Sequence, residues 1–299
     1  MDTAEIAAFE VGLIGKGIQA SLTPAMHMAE GLAQGLDYRY RLFDLDQPPG
    51  GIDRVADLLS DAERRGFSGL NITHPCKQQV IPFLDELSEE AAALGAVNTV
   101  VFREGRREGH NTDWWGFAES FRRGLPDADL ASVVQLGAGG AGAATAFAIL
   151  RSGAKELTIF DQDESRASAL VENMQGHVSG AKLNVGTDLS AAMASASGLV
   201  HATPTGMDKY PGLPLPADLL RISQWVAEIV YFPLNTELVI EAGRRGCRVL
   251  DGGGMAVFQA VRAFELFTGV KPDAGRMLSH FSDLTRGAPN SNLAAGAFR

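Results

Sequence analysis

The sequence predicts an α/β protein built as two successive domains, and three observations carry that prediction. Short β-branched or apolar runs alternate with longer helix-compatible stretches along the whole chain, the pattern of helices covering a largely parallel sheet. The length of 299 residues suits two domains of ordinary size, each with its own core. In mid-chain, over 133–150, a glycine-rich turn stands between an apolar run and an Ala-rich stretch. The composition, 45% hydrophobic and 21% charged, is that of a packed chain and excludes fibrous and largely disordered classes.

Taken in order, the strands expected in the first third are 11–14, 38–43, 69–72 and 97–102, with apolar residues at helical spacing over 52–65. A second series follows at 133–136, 157–160, 183–185, 199–202, 226–230 and 248–250, with Ala-rich helical stretches between several of them. The polar, Pro-containing stretch 126–129 puts a domain junction there or slightly earlier. Beyond Asp251, 255–268 reads as a helix and Pro272 opens another. No further strand receives them, so both are expected to pack back on the first domain. The end, 288–299, is small and polar enough to fray.

Lys and Arg number 26 against 36 Asp and Glu, a formal net charge of -10 with no basic patch, so no nucleic-acid partner is expected. Two distant cysteines, Cys76 and Cys247, exclude a disulfide framework and a cysteine-rich zinc site, and no metal is expected. The start MDTAEIAAFE lacks the basic segment and apolar run of an export signal, and no apolar stretch is long enough to cross a bilayer. A cytoplasmic location with no membrane partner is the expectation.

The turn at 133–150 reads VVQLGAGGAGAATAFAIL. Gly137, Gly139 and Gly142 have the GxGxxG spacing, with Ala138, Gly140 and Ala141 completing the turn and the start of the helix. A tight turn, the close approach of a pyrophosphate and the packing of helix on strand each exclude a Cβ, and the helix start offers N–H groups to the anion. About twenty residues later, as this fingerprint requires, LTIFD ends a second strand with Asp161. Its carboxylate can accept both adenosine ribose hydroxyls, whereas a 2′-phosphate would meet like charge, so the expected coenzyme is NAD rather than NADP. The alternative is a purely structural turn, with Asp161 capping a helix that begins near Glu164. Arg166 could reach the adenine or stand as a solvated helix residue.

Polar groups also gather at strand ends in the first domain. NITHPCK follows a strand and offers Asn71 and Thr73 as partners for hydroxyls and Lys77 for a proton or positive charge; GAVNTVV gives Asn98, and GHNTDWWGF gives Asp113. Lys77 and Asp113 together would make a proton-transfer pair. Thr112 or Asp113 also reads as a helix cap. In GKGIQASLTPAMH, Ser21 and Thr23 are two hydroxyls suited to a carboxylate, or a hydroxyl cap on a helix starting at Pro24.

In combination these segments resemble the shikimate dehydrogenase family, and most closely its NAD-using quinate/shikimate dehydrogenase branch. The resemblance runs from about Val11 to Phe281 through SLTPAMH, GLNITHPCK, LGAVNTVV, GHNTDWWGF, LGAGGAGAA, ATPTGM, VYFPLNTEL and LDGGGMAVFQAV. It implies Lys77 and Asp113 as the catalytic pair and carboxylate binding on Ser21 and Thr23. Hydroxyl binding falls on Asn98, Asp113 and Gln259, with Asn71, Thr73 and Tyr231 close by. The nicotinamide site falls on Thr203, Pro204, Val230, Gly254 and Met255, and Asp161 stands where NADP-using members carry an Asn-Arg-Thr stretch.

The implied division is 1–112 for a substrate-binding catalytic domain and 113–253 for a Rossmann-type NAD-binding domain. Then come 254–287 for helices returning to the first domain and 288–299 for a tail. The implied activity is reversible oxidation of quinate and/or shikimate to 3-dehydroquinate or 3-dehydroshikimate. A dehydrogenase for another small hydroxylated carboxylic acid and a non-catalytic NAD-sensing module stay open as alternatives. Oligomeric state is also open, a homodimer being one arrangement.

Several positions depart from the pattern. His201 stands where Asn is common, Glu228 where Asp is common, and Gly253 and Gly254 where NAD-using relatives carry larger residues. The bulk lost at Gly254 is expected to alter nicotinamide placement or substrate choice. His201, at a strand end, is expected in a structural or cofactor-side role.

Overall fold

A computed structural model of the chain describes residues 7–48, 50–177 and 180–286. In order, its first elements are β1 (Ala8–Gly15), α1 (Thr23–Ala33), β2 (Asp37–Asp44), α2 (Val55–Arg64), β3 (Gly69–Ile72), β4 (Glu86–Leu87), α3 (Glu89–Leu94), β5 (Thr99–Arg103) and β6 (Arg106–His110). There follow α4 (Asp113–Gly124), β7 (Val133–Leu136), α5 (Gly140–Arg151), β8 (Glu156–Phe160), α6 (Glu164–Gln175), β9 (Lys182–Val185), α7 (Leu189–Ser195) and β10 (Gly198–His201). The last are β11 (Trp225–Glu228), α8 (Glu237–Arg244), β12 (Arg248–Leu250), α9 (Gly253–Thr268) and α10 (Ala274–Arg286). Two compact units result: one takes the described residues up to Thr112 together with Gln259–Leu284, the other Asp113–Phe258 and the end of α10. The expected tail, 288–299, lies outside the described residues.

In the first unit the sheet order is β2-β1-β3-β5-β6-β4. β1 runs parallel to β2 and β3, whereas β5 is antiparallel to β3 and to β6. Helix α2 buries Val55, Leu58, Leu59 and Ala62, the i, i+3, i+4, i+7 stripe that its spacing dictates. That stripe joins Ile14, Leu70, Ile72, Val80, Val97 and Val100 in one core. Val11, Tyr38 and Val101 form a second cluster with Ala263, Phe264 and Phe267 of α9. Helix α10 is tied in by Arg276, whose guanidinium donates at 2.7 and 2.8 Å to the buried Glu30 carboxylate on α1. Of the two C-terminal helices, Gln259–Leu284 belong to this unit.

The second unit is all parallel, in the order β12-β11-β10-β7-β8-β9. β7, β10 and β11 are buried along their whole length, as strands covered by helices on both faces must be. Chain order reverses between β7 and β10, the switch point outside whose carboxyl ends α/β sheets bind ligands.

The structure differs from the sequence reading at several boundaries. β4 and β6 were not expected. β6 is polar throughout and pairs because Glu104 and Gly105, at φ 52° and 74°, make a two-residue turn whose twist suits a hairpin. β5 starts at Thr99 rather than 97, since the Val97 amide donates to the Lys77 carbonyl at 2.8 Å. β11 ends at Glu228 rather than 230, because the Glu228 carboxylate takes the amides of Ile229 and Val230 at 2.9 and 3.0 Å. The stretch 126–129 connects α4 to β7 inside the second unit, and the chain changes unit at 112/113 and within α9 at 258/259. The first part of α9 stays in the second unit, where Phe258 packs edge-on against Trp115 and under the Arg123 guanidinium.

Candidate active site

In the first unit, the carboxyl ends of β1 and β3 and the start of β5 share one end of the sheet. A Cβ on Gly15 would lie 2.3 Å from Thr73 Cγ2, so the loops after β1 and β3 are in close contact, and the Lys16 amide donates to the His74 carbonyl at 3.0 Å. Half-buried Thr73 and Lys77 flank the cis His74–Pro75 bond. Helix α1 begins at Thr23 with Leu22 at its N-cap and no side-chain cap, which corrects the hydroxyl-cap alternative for Ser21 and Thr23. Pro24 in the first turn has no N–H to satisfy. Thr23 Oγ1 instead accepts from Gln259 Nε2 at 3.5 Å.

Behind these loops runs a buried polar chain that sequence reasoning missed. The Tyr40 hydroxyl donates to Asn71 Oδ1 at 2.8 Å, and Asn71 Nδ2 donates to Thr99 Oγ1 at 3.1 Å. Thr99 Oγ1 donates to Asn98 Oδ1 at 3.1 Å, and that same oxygen accepts the Thr112 amide at 2.7 Å. Asn98 Nδ2 donates to the Thr112 hydroxyl at 2.9 Å, so Thr112 is held by Asn98 directly before Asp113. Asn71 and Asn98 are both buried, and their amides are spent on orienting neighbours as much as on facing outward. Its place directly after Asn98 in NTVV was the sequence signal for Thr99.

Asp113 opens α4 in the second unit and is buried. Desolvation, with the Asp113 charge second, pushes the Tyr231 phenol above its ordinary range, although the residue as a whole is 42% exposed.

The glycine-rich turn has the geometry its spacing demands. Gly137 has φ 102°, and a Cβ there would lie 2.5 Å from the Ala202 carbonyl oxygen; one on Gly142 would lie 2.3 Å from the Gly137 carbonyl oxygen. Around Gly139 and Gly140 the space is open to 4 Å, room for a pyrophosphate at the N-terminus of α5, which has no side-chain cap. Ala138 and Ala141 complete the turn, and the Ala138 amide donates to Asp161 Oδ2 at 2.8 Å. Asp161 Oδ1 accepts from the Asp163 amide at 3.0 Å, while the N-cap of α6 is Asp163, so the cap alternative for Asp161 is corrected. Arg166 is exposed and paired with Asp163 at 3.5 Å. Buried Gln135 was missed: its Nε2 donates to the carbonyls of Gly137 and Gly142 at 2.9 and 2.8 Å, and its Oε1 accepts the Thr145 hydroxyl at 2.9 Å. A lone amide in the apolar run VVQL was its signal.

At the carboxyl ends of β10 and β11, His201 and Glu228 are register partners, both fully buried. His201 Nδ1 lies 2.8 and 3.0 Å from the two Glu228 oxygens, and Nε2 lies 2.5 Å from Thr203 Oγ1. Val230 is buried, whereas Pro204 is exposed. Gly254 is packed so closely that a Cβ would lie 2.0 Å from Ser120 Oγ. Ser120 of α4 therefore fills the space that a side chain at 254 would take, and Met255 follows half-buried. Among the described residues, no group of three or more His, Cys, Asp or Glu could hold a metal ion, and no helix is long and apolar enough to cross a membrane.

Two family models match the chain: the shikimate dehydrogenase substrate binding domain over residues 13–100 and the shikimate 5′-dehydrogenase C-terminal domain over 252–279. Shikimate dehydrogenase (NADP(+)) of Streptomyces avermitilis is 55% identical over 93% of this chain and 96% of its own length. Quinate/shikimate dehydrogenase (NAD(+)) of Corynebacterium efficiens is 48% identical over 92% and 98%. Among solved structures, quinate dehydrogenase from Corynebacterium glutamicum in complex with NAD has a TM-score of 0.89 at 45% identity, covering 93% of this chain and 99% of that one.

Proposed function

The chain belongs to the shikimate dehydrogenase family, and from that membership we propose that it catalyses the reversible NAD-dependent oxidation of quinate and/or shikimate to the 3-dehydro acids. The observation that supports the coenzyme is Asp161: its carboxylate stands at the end of β8, hydrogen-bonded to the glycine-rich turn, with Asp163 and Glu164 next along the chain. A ribose diol suits that acidic rim, and a 2′-phosphate is repelled by it. The neighbouring cation Arg166 is already paired with Asp163.

When bound, NAD supplies the hydride acceptor as the ring alcohol becomes a ketone. Lys77 takes the hydroxyl proton in that direction and returns it in the other, while Asp113 binds an adjacent hydroxyl and orients the reacting one. Ser21 and Thr23, not engaged as caps, hold the carboxylate, and Asn98, Gln259, Thr73 and Tyr231 complete the hydroxyl contacts. Local hydroxyl and Lys donors thus bind an anion on a chain of net charge -10.

Steady-state kinetics on quinate and on shikimate, each with NAD and with NADP, test the reading. Turnover with NAD at least about tenfold more efficient than with NADP is expected, a difference of about 1.4 kcal/mol. Faster turnover with NADP would overturn the coenzyme assignment, and no turnover of either acid would overturn the activity.

A further inference from the structure

The positions 201 and 228 depart from the family pattern separately in sequence but meet in space. They are partners across the parallel pair β10·β11, and the contact joins two loops that leave the same end of the sheet. Glu228 is the hub: Oε1 accepts the amides of Ile229 and Val230 at 2.9 and 3.0 Å, and Oε2 accepts the Thr236 hydroxyl at 3.0 Å. Since Nδ1 of His201 faces both carboxylate oxygens, the ring proton belongs on Nδ1. Nε2 is then the acceptor for the Thr203 hydroxyl, whose oxygen in turn accepts the Thr205 amide at 3.3 Å. Thr203 is thereby fixed in orientation beside the turn, its Cγ2 3.1 Å from where a Gly137 Cβ would stand. The loop after β11 is equally confined, for a Cβ on Gly252 would lie 2.5 Å from the carbonyl oxygens of both Ile229 and Val230.

We propose that Glu228 and His201 form a buried positioning pair that fixes Thr203 and the Val230 backbone, and so sets the placement of the nicotinamide ring without contributing to the adenosine end. The inference rests on the dehydrogenase reading above and on the family resemblance, which implies Thr203 and Val230 at the nicotinamide. It assigns neither His201 nor Glu228 to proton transfer, because both are fully buried and their polar atoms are directed at Thr203, Thr236 and the loop backbone.

The test compares NADH with ADP-ribose, which lacks the nicotinamide, by calorimetric titration of the full-length chain. Glu228→Gln and His201→Phe should each weaken NADH about tenfold and leave ADP-ribose within about twofold. They should also lower kcat about 10- to 100-fold, with the KM of the acid substrate within about threefold. Thr203→Val should reproduce the loss, whereas Thr203→Ser, which keeps the hydroxyl, should restore NADH affinity. His201→Phe combined with Thr203→Val should cost no more than either alone.

Unchanged NADH affinity in Thr203→Val, or equal weakening of NADH and ADP-ribose in folded variants, would overturn the proposal. The half-buried Thr203 pair of variants keeps the test decisive if a change at the buried pair prevents folding. A wild-type chain that binds ADP-ribose but neither binds NADH more tightly nor oxidises quinate or shikimate would instead overturn the dehydrogenase reading, and this proposal with it.

Discussion

The two units fix their functional groups by different means. In the first, side chains orient side chains: Tyr40, Asn71, Thr99, Asn98 and Thr112 form one buried chain of hydrogen bonds drawn from strands far apart in sequence. In the second, the backbone itself is the device, since Gly137 and Gly142 shape the turn by what they lack. The difference teaches where each half tolerates change. A backbone turn fails at once when a Cβ is added, whereas a polar chain loses its members in smaller steps.

The largest effect belongs to the first unit. Lys77→Ala should lower kcat about 10²- to 10⁴-fold, the range for loss of a general acid-base group, with substrate KM changed by only a few fold. Full turnover in that variant, measured with saturating NAD and quinate or shikimate, would remove Lys77 from the chemistry. Next comes the second unit's backbone. Gly142→Val sets a branched side chain where even a Cβ would lie 2.3 Å from the Gly137 carbonyl oxygen. Overpacking of this kind costs about 1–3 kcal/mol, read as a lowered thermal midpoint together with lost NADH binding. A variant that binds NADH as wild type would show that the turn yields more readily than its contacts suggest.

This contrast also explains what the sequence could show. The glycine-rich turn was legible because its signature is local, three glycines within six residues, of which Gly137 and Gly142 leave no space for a Cβ. Strand interiors such as 133–136 were legible for the same reason. The polar chain of the first unit was not, because Tyr40 and Asn71 are 31 residues apart and only the fold pairs them. The His201–Glu228 contact was hidden likewise by 27 residues of separation, although each position departs singly from the family pattern. The close approach of Ser120 to Gly254 was hidden too, because only the packing of α4 brings that residue there.

Acid should act on the first unit through His27. Its ring is enclosed by Tyr38, Tyr40, Phe264 and Phe267, with Nδ1 2.8 Å from the Tyr38 hydroxyl, and burial lowers its pKa to about 3. The folded chain therefore keeps the ring neutral while the unfolded chain takes a proton below about 6.5, so the unfolded state binds more protons across that window. Stability is full above the upper limit and falls as pH drops from about 6.5 towards 3, by at most about 1.4 kcal/mol per pH unit. Urea midpoints at pH 7 and pH 5 measure the slope, and His27→Leu should flatten it; an unchanged slope would assign the acid sensitivity elsewhere.

A smaller effect sharpens the comparison at the coenzyme. Asp161→Ala removes the acidic acceptor at the end of β8 and frees the Ala138 amide. The ratio of kcat/KM for NADP over NAD should rise about tenfold or more, chiefly through weaker NAD binding. An unmoved ratio would remove Asp161 from the choice of coenzyme.

The smallest effect on catalysis is at the far end of the polar chain. Tyr40→Phe deletes the hydroxyl that donates to Asn71 Oδ1 and leaves that buried oxygen without its donor. The cost should be about 1–3 kcal/mol of stability, the desolvation of one amide oxygen. Catalysis should change little, since Asn71 still donates to Thr99 and the Asn98–Thr112 contacts remain. If kcat instead falls by the factor seen for Lys77→Ala, the chain of hydrogen bonds transmits position from Tyr40 as far as Thr112, and the first unit is as intolerant of a single change as the glycine turn of the second.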